Sequence, residues 1–76
     1  DRLVQARMLT YGWQEYEEKR FGRARDFFAR ARTGPDAGLS RQAALGQLYT
    51  LLRLGDHVEA WNLFLFLFPG NDKSDP

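Results

Sequence analysis

The chain has no cysteine, which excludes a disulfide scaffold and any thiolate metal site. It has one histidine, His57, placed at the start of a helical segment where exposure to solvent is the default. Without clustered histidines or cysteines there is no ligand set for a metal centre. The glycines are scattered where helices stop and do not gather into a phosphate-cradling loop. There is no excess charge of one sign: 11 Lys and Arg face 10 Asp and Glu, for a formal net charge of +1, which argues against a strongly electrostatic partner surface. No apolar run approaches the ~20 residues a bilayer span needs. The run near the C-terminus also lacks the basic flank of an interfacial helix. Ser40 and Ser74 have no base nearby in sequence, and a pair such as Glu15 and Glu18 is ordinary on an exposed helix face. The chain is therefore read as a non-enzyme, without cofactor or metal, and as a soluble domain. The compartment stays open, the cytoplasm being one that fits, because no targeting signal is visible and the absence of cysteine does not fix it. Both ends, Asp1 and the polar tail Gly70 to Pro76, read as cuts in a longer protein.

What is present is an ordinary globular composition, 43% hydrophobic and 28% charged over 76 residues, enough for one small domain. Its most distinctive segment is Val58 to Phe68, in which no residue from Leu63 to Phe68 is polar. At about 100° per residue those six side chains cover most of a helix circumference. A helix that is apolar all round must be covered on several sides, and a chain this short has little protein with which to cover it. A buried strand is the rival for this segment, because phenylalanine favours sheet. No other segment could pair with such a strand, so helix is the expectation.

Breakers divide the chain into four helical pieces. The first spans about Arg2 to Lys19, with stripes Val4, Met8, Tyr11 and Leu9, Trp13, Tyr16. The second spans about Phe21 to Arg32, where Phe21, Ala24, Phe27, Phe28 and Ala31 recur at three- and four-residue steps. Gly34-Pro35 ends it. A loop from Thr33 to Leu39 leads to Ser40, the expected N-cap of a third helix over about Arg41 to Leu54. Gly55 ends that helix. Asp56 then caps a fourth, with Glu59 spaced to reach back to the cap's N–H. Connections of one to three residues within each pair make consecutive helices antiparallel neighbours. Ala24, Phe28 and Ala31 reappear thirty-six positions later as Ala60, Phe64 and Leu67, the mark of a helical repeat.

These residues resemble the tetratricopeptide-repeat family, whose unit is a helix pair of about 34 residues. The first unit matches through Tyr11-Gly12, Phe21, Ala24, Phe28 and Ala31, and the second through Gly55-Asp56, Ala60 and Phe64. The likeness runs from about Met8 to Pro69. It departs from the family at Ala44, Gln47 and Leu48, where a large apolar, an apolar and a small residue are usual. Gly46 comes two positions early for the small one. The first turn, Lys19-Arg20, has no glycine, and the spacing of thirty-six makes the loop between units about two residues longer than a 34-residue unit needs. The resemblance implies an all-α fold of two stacked antiparallel hairpins, a short solenoid over residues 1–69. Its repeats would cover about residues 5–36 and 41–69, followed by a tail over 70–76. Gly12 and Ala24 would let helix backbones approach, and Phe28 and Phe64 would fill the space between hairpins. The first unit also resembles the half-a-tetratricopeptide pattern of RNA-processing assemblies, through Tyr11, Glu15, Ala24-Arg25, Phe28 and Arg30-Ala31. The second unit does not, having Leu51 and Trp61 at the acidic and arginine positions.

The resemblance implies a partner-binding groove lined by Leu9, Trp13, Tyr16 and Glu17 of the first helix and Leu45, Tyr49, Leu52 and Arg53 of the third. The plainer reading is that Trp13 and Tyr16 pack in a small core. The family's carboxylate clamp requires lysine and asparagine on this face; neither occurs there, so a C-terminal carboxylate ligand is disfavoured. A second candidate surface, read from the residues themselves, is Trp61, Leu63, Leu65, Phe66 and Phe68. These cannot all face two hairpins and are expected to meet neighbouring repeats or a second copy. The arginines Arg20, Arg23, Arg25, Arg30 and Arg32 are a third candidate. A basic stripe can contact RNA phosphates, but helical charge runs are usually solvated, and Glu15, Glu17 and Glu18 lie just upstream. The expected function is a protein–protein interaction module binding a protein or peptide. An RNA-processing scaffold and a plain helical oligomerisation bundle are the alternatives.

Overall fold

A computed structural model describes residues 1–72. Among them the chain forms four α-helices and a short 3-10 turn, with no strand: α1 Arg2–Glu17, α2 Phe21–Arg32, α3 Ala37–Leu54, α4 His57–Leu67 and the turn Pro69–Asp72. The Leu63 to Phe68 segment is thus helical through Leu67, as its period requires. The end of the polar tail, residues 73–76, lies outside the described residues.

Helices α1, α3 and α4 each start on an aspartate that accepts from a free N–H group, whereas α2 has no side-chain cap at Arg20. Asp1 accepts from the Val4 N–H at 3.0 Å to open α1. That helix ends two residues before the expected Lys19. Lys19 itself adopts φ 64°, the left-handed conformation that glycine usually supplies. The N–H groups of Lys19 and Arg20 then reach back to the carbonyls of Tyr16 and Glu15. Helix α2 has the expected bounds, and Thr33 Oγ1 donates to the Arg30 carbonyl where it ends.

The start of α3 corrects the sequence reading. The helix begins at Ala37, four residues ahead of Arg41, and its cap is Asp36 rather than Ser40. Asp36 Oδ1 accepts from the Leu39 N–H at 2.9 Å, and its Oδ2 accepts from Arg2 Nε at 2.8 Å. Ser40 is engaged elsewhere: its Oγ accepts from Gln5 Nε2 at 2.9 Å and donates to the Gly34 carbonyl. Gln5 is buried on α1 and joins the two hairpins. It donates to the carbonyls of Ala31 (2.7 Å) and Asp36 (3.1 Å), and its Oε1 accepts from the Asp36 N–H at 2.8 Å. Gly34 leaves the room Gln5 occupies, since a Cβ there would collide with the amide.

Gly55, at φ 78°, turns the chain from α3 into α4, and Asp56 Oδ1 accepts from the Glu59 N–H at 3.3 Å. Only half of the expected capping box forms. The Asp56 N–H bonds the Leu51 carbonyl of the preceding turn and so is not free for the Glu59 carboxylate.

The helices lie side by side as antiparallel neighbours, their Cα atoms filling 41 × 28 × 14 Å. Helix α2 packs between α1 and α3, whereas α4 packs on α3 alone among the helices. One core cluster joins α1, α2 and α3 through Leu9, Ala24, Phe28, Ala31 and Ala43. A second joins α3 to α4 through Ala44, Leu48, Leu51, Ala60, Leu63 and Leu67. The centre of the first is Phe28, fully buried between two glycines. A Cβ on Gly12 of α1 or on Gly46 of α3 would fall 2.6 Å from its ring carbons. Gly46, early for the expected pattern, thus faces the preceding hairpin rather than α4.

Candidate functional surfaces

Four of the groove residues meet. Trp13 packs edge-on against Phe28 at 4.9 Å between centroids and against Tyr16 at 5.4 Å, and Tyr49 of α3 approaches Trp13 at 6.3 Å. Arg53 Nε donates to the Tyr16 hydroxyl at 3.2 Å, with the guanidinium 6.0 Å from the ring. The result is an aromatic lid on the first core, half-buried at Trp13 and Tyr16 and open at Tyr49. The other four lie elsewhere. Leu9 is buried beneath the lid, and Leu45 is half-buried against the second core. Glu17 is exposed at the end of α1. Leu52 is exposed and faces the free end of the molecule, beside Trp61.

The α4 candidates also divide. Leu63 is buried against α3 within the chain's own core. Leu65 and Phe68 are half-buried. Phe68 is held by Arg41, whose guanidinium lies 5.4 Å from the ring and whose Nη1 donates to the Leu67 carbonyl. Phe66 and Trp61 stand in solvent at 67% and 58% exposure, on opposite flanks. Phe66 turns toward α2, under the guanidinium of Arg32 at 5.3 Å, where it borders a cleft of about 500 Å³ beside Gly34, Pro35 and Arg41. Trp61 turns the other way and stacks on Phe64, 5.4 Å between centroids and 16° between planes. With Leu48, Leu52, His57, Ala60 and Phe64 it lines a cleft of about 390 Å³ at the free end of the molecule.

The sequence reading passed over four residues of this free end: Leu48, Ala60, Phe64 and Val58, the last 74% exposed. A signal for them was present. Ala60 and Phe64 occupy on α4 the places of Ala24 and Phe28 on α2; Ala60 is buried against α3, and Phe64, with no helix beyond α4 among the described residues, is left half-buried. Val58, Trp61 and Leu65 share one stripe by their spacing.

The arginines of α2 are largely engaged within the molecule. Arg20 pairs with Glu15, Arg25 approaches Asp26 at 3.8 Å, and Arg32 Nη1 donates to Gln47 Oε1 at 2.9 Å. Arg23 and Arg30 share a shallow cleft with Glu15, Asp26 and Phe27, so its charges are of both signs. Among the described residues no helix is long and apolar enough to cross a membrane.

Comparison of the chain with protein-family models, with curated proteins and with solved structures gave no match.

Proposed function

We propose that the chain is a protein–protein interaction module, a stacked pair of helical hairpins within a scaffold or adaptor of the tetratricopeptide-like kind. Its principal contact surface is the outer face of α4. The observation that carries this reading is the exposed apolar stripe of Val58 and Trp61 beside the cleft floored by Leu48 and Ala60. Each large apolar side chain left in water forgoes about 1.5–3 kcal/mol relative to burial. A small domain has only about 5 kcal/mol or little more in total, so such a stripe is costly unless something covers it. The aromatic lid of Trp13, Tyr16, Tyr49 and Arg53 is a second, shallower contact surface on the same module.

Selection of helical peptides from a displayed library tests the reading. Apolar helices are expected to enrich on the wild-type chain and to lose at least tenfold in affinity on Trp61→Glu, because a carboxylate cannot be buried there unpaired. Loss on Tyr49→Ser instead would move the site to the aromatic lid. If no peptide enriches, or binding is indifferent to both variants, neither surface is an interface.

A further inference from the structure

We propose that the cleft between the end of α2, the start of α3 and the end of α4 binds an acidic side chain of a partner peptide, with Arg32 and Arg41 as its two cationic ligands. The inference rests on reading the chain as an interaction module and adds a further site and the chemistry of what fills it. It makes no use of the outer face of α4. None of the groove residues implied by the tetratricopeptide resemblance lines this cleft, so it is not the family's clamp face.

The cleft holds about 500 Å³. Its walls are apolar at Pro35, Ala44, Phe66 and Leu67, and among the described residues its charged lining groups are the two guanidiniums alone. Both are braced before anything binds. Arg32 lies 5.3 Å from the Phe66 ring centre and donates from Nη1 to Gln47 Oε1 at 2.9 Å. Arg41 lies 5.4 Å from the Phe68 ring centre and donates from Nη1 to the Leu67 carbonyl at 3.3 Å. A guanidinium carries five N–H donors, so each arginine keeps most of them for a ligand. Contact with a ring positions a guanidinium without neutralising it, and a positioned side chain loses less freedom on binding. Arg32 is also half-buried, so salt and water screen it less than an exposed cation.

The chain leaves this pair of charges unanswered. Among the described residues neither arginine forms an ion pair. Asp36, at the cap of α3, already accepts from the Leu39 N–H and pairs with Arg2. Glu59 shares a neighbouring cleft with Arg32 but makes no ion pair with it. The other arginines of α2 differ. Arg20 and Arg25 pair with Glu15 and Asp26, and Arg23 and Arg30 share a cleft with the same two acids. Those acids interrupt any cationic track, so a series of RNA phosphates finds no continuous path. Two cations beside apolar walls match a carboxylate that stands next to an apolar side chain. Arginine grips a carboxylate through paired N–H donors, and such charge-assisted bonds are about twice as strong as neutral ones.

Selection of random peptides displayed on phage, followed by anisotropy titration of the enriched sequences, tests the proposal. Peptides bearing Asp or Glu beside a large apolar residue are expected to enrich. Changing that acid to its amide should weaken binding by about tenfold or more, and Arg32→Gln and Arg41→Gln should each do the same, as loss of a charge-assisted bond requires. Trp61→Glu should leave this binding unchanged. The change from acid to amide is made in the peptide, so it reads the site even where a chain variant unfolds. Acidic peptides whose binding is indifferent to that change, or to both arginines, overturn the proposal. Polyuridine binding that needs both arginines, with no acidic peptide enriched, overturns it in favour of RNA. A gain in peptide affinity from Asp72→Asn with Asp75→Asn that disappears in Arg32→Gln overturns it in favour of the chain's own tail. Peptides that bind through Trp61 alone overturn this site and leave the interaction reading standing. A chain that enriches no peptide overturns both.

Discussion

Helices α2 and α4 carry related sequences and have opposite fates. On α2, Ala24, Phe28 and Ala31 are fully enclosed by neighbours on two sides. On α4 the matching Ala60 and Leu67 are buried but Phe64 is only half-buried, because among the described helices α3 alone packs on α4. Burial of an aromatic at this position is thus decided by whether a third helix is present, since the residue type is the same. The start of each second hairpin helix repeats the contrast. Asp36, ahead of α3, is gripped by the Leu39 N–H, by Arg2 and, through its backbone, by Gln5. Asp56, ahead of α4, accepts one longer hydrogen bond from Glu59.

The largest test of this comparison is to empty the two aromatic positions. Phe28→Ala is expected to destabilise by about 3–5 kcal/mol, as for other enclosed aromatics. Phe64→Ala should cost clearly less, with its solvent-facing side already unpacked. Urea denaturation of both variants measures the gap, and equal losses would mean that α4 is as enclosed as α2. A smaller effect is expected from Gly46→Ala. Alanine favours helix by about 1 kcal/mol over glycine, yet its Cβ would press on the Phe28 ring, which is held from the far side by Gly12. Overpacking of this kind costs about 1–3 kcal/mol, so a net loss is expected. A gain in melting temperature would show that the clamp is looser than its geometry.

The smallest effect concerns the caps. The Leu39 N–H above all, and Arg2 next, hold the Asp36 carboxyl below its ordinary pKa. A carboxylate with a lowered folded pKa contributes stability at neutral pH. That contribution is lost as the pH falls below the ordinary aspartate value of about 3.9 and through the lowered folded one. The stability lead of the wild type over Asp36→Asn should therefore be present at neutral pH and vanish in acid. A lead that persists unchanged in acid would assign the effect to shape instead of charge.

Much of the fold was legible because its signals are local. The period of α2, the glycine at Gly55, the cap at Asp56 and the all-round apolarity after Leu63 each act within a few residues. The start of α3 was not legible, because Ser40 as a cap is locally sound. It is displaced by Gln5, thirty-five positions away, which takes the serine hydroxyl for the joint between hairpins. Lys19 was equally opaque, since nothing in its type announces a left-handed backbone. At the candidate surfaces, the repeat resemblance placed Trp13, Tyr16, Tyr49 and Arg53 on one face. Spacing could not separate Leu9 and Leu63, which face inward, from Trp61 and Phe66, which do not. That division depends on how far one helix is rotated against the next, which the chain decides only once it is packed.

The two tryptophans stand in the two contrasted regions, Trp13 against the enclosed ring of Phe28 and Trp61 exposed on α4. Their indole fluorescence therefore comes from two different environments, a shielded one near the first hairpin and a wet one at the far end. With Trp61→Phe the emission reports the inner region alone. The difference from the wild-type spectrum isolates the outer one, so the molecule carries a built-in optical gauge for each half without any attached dye.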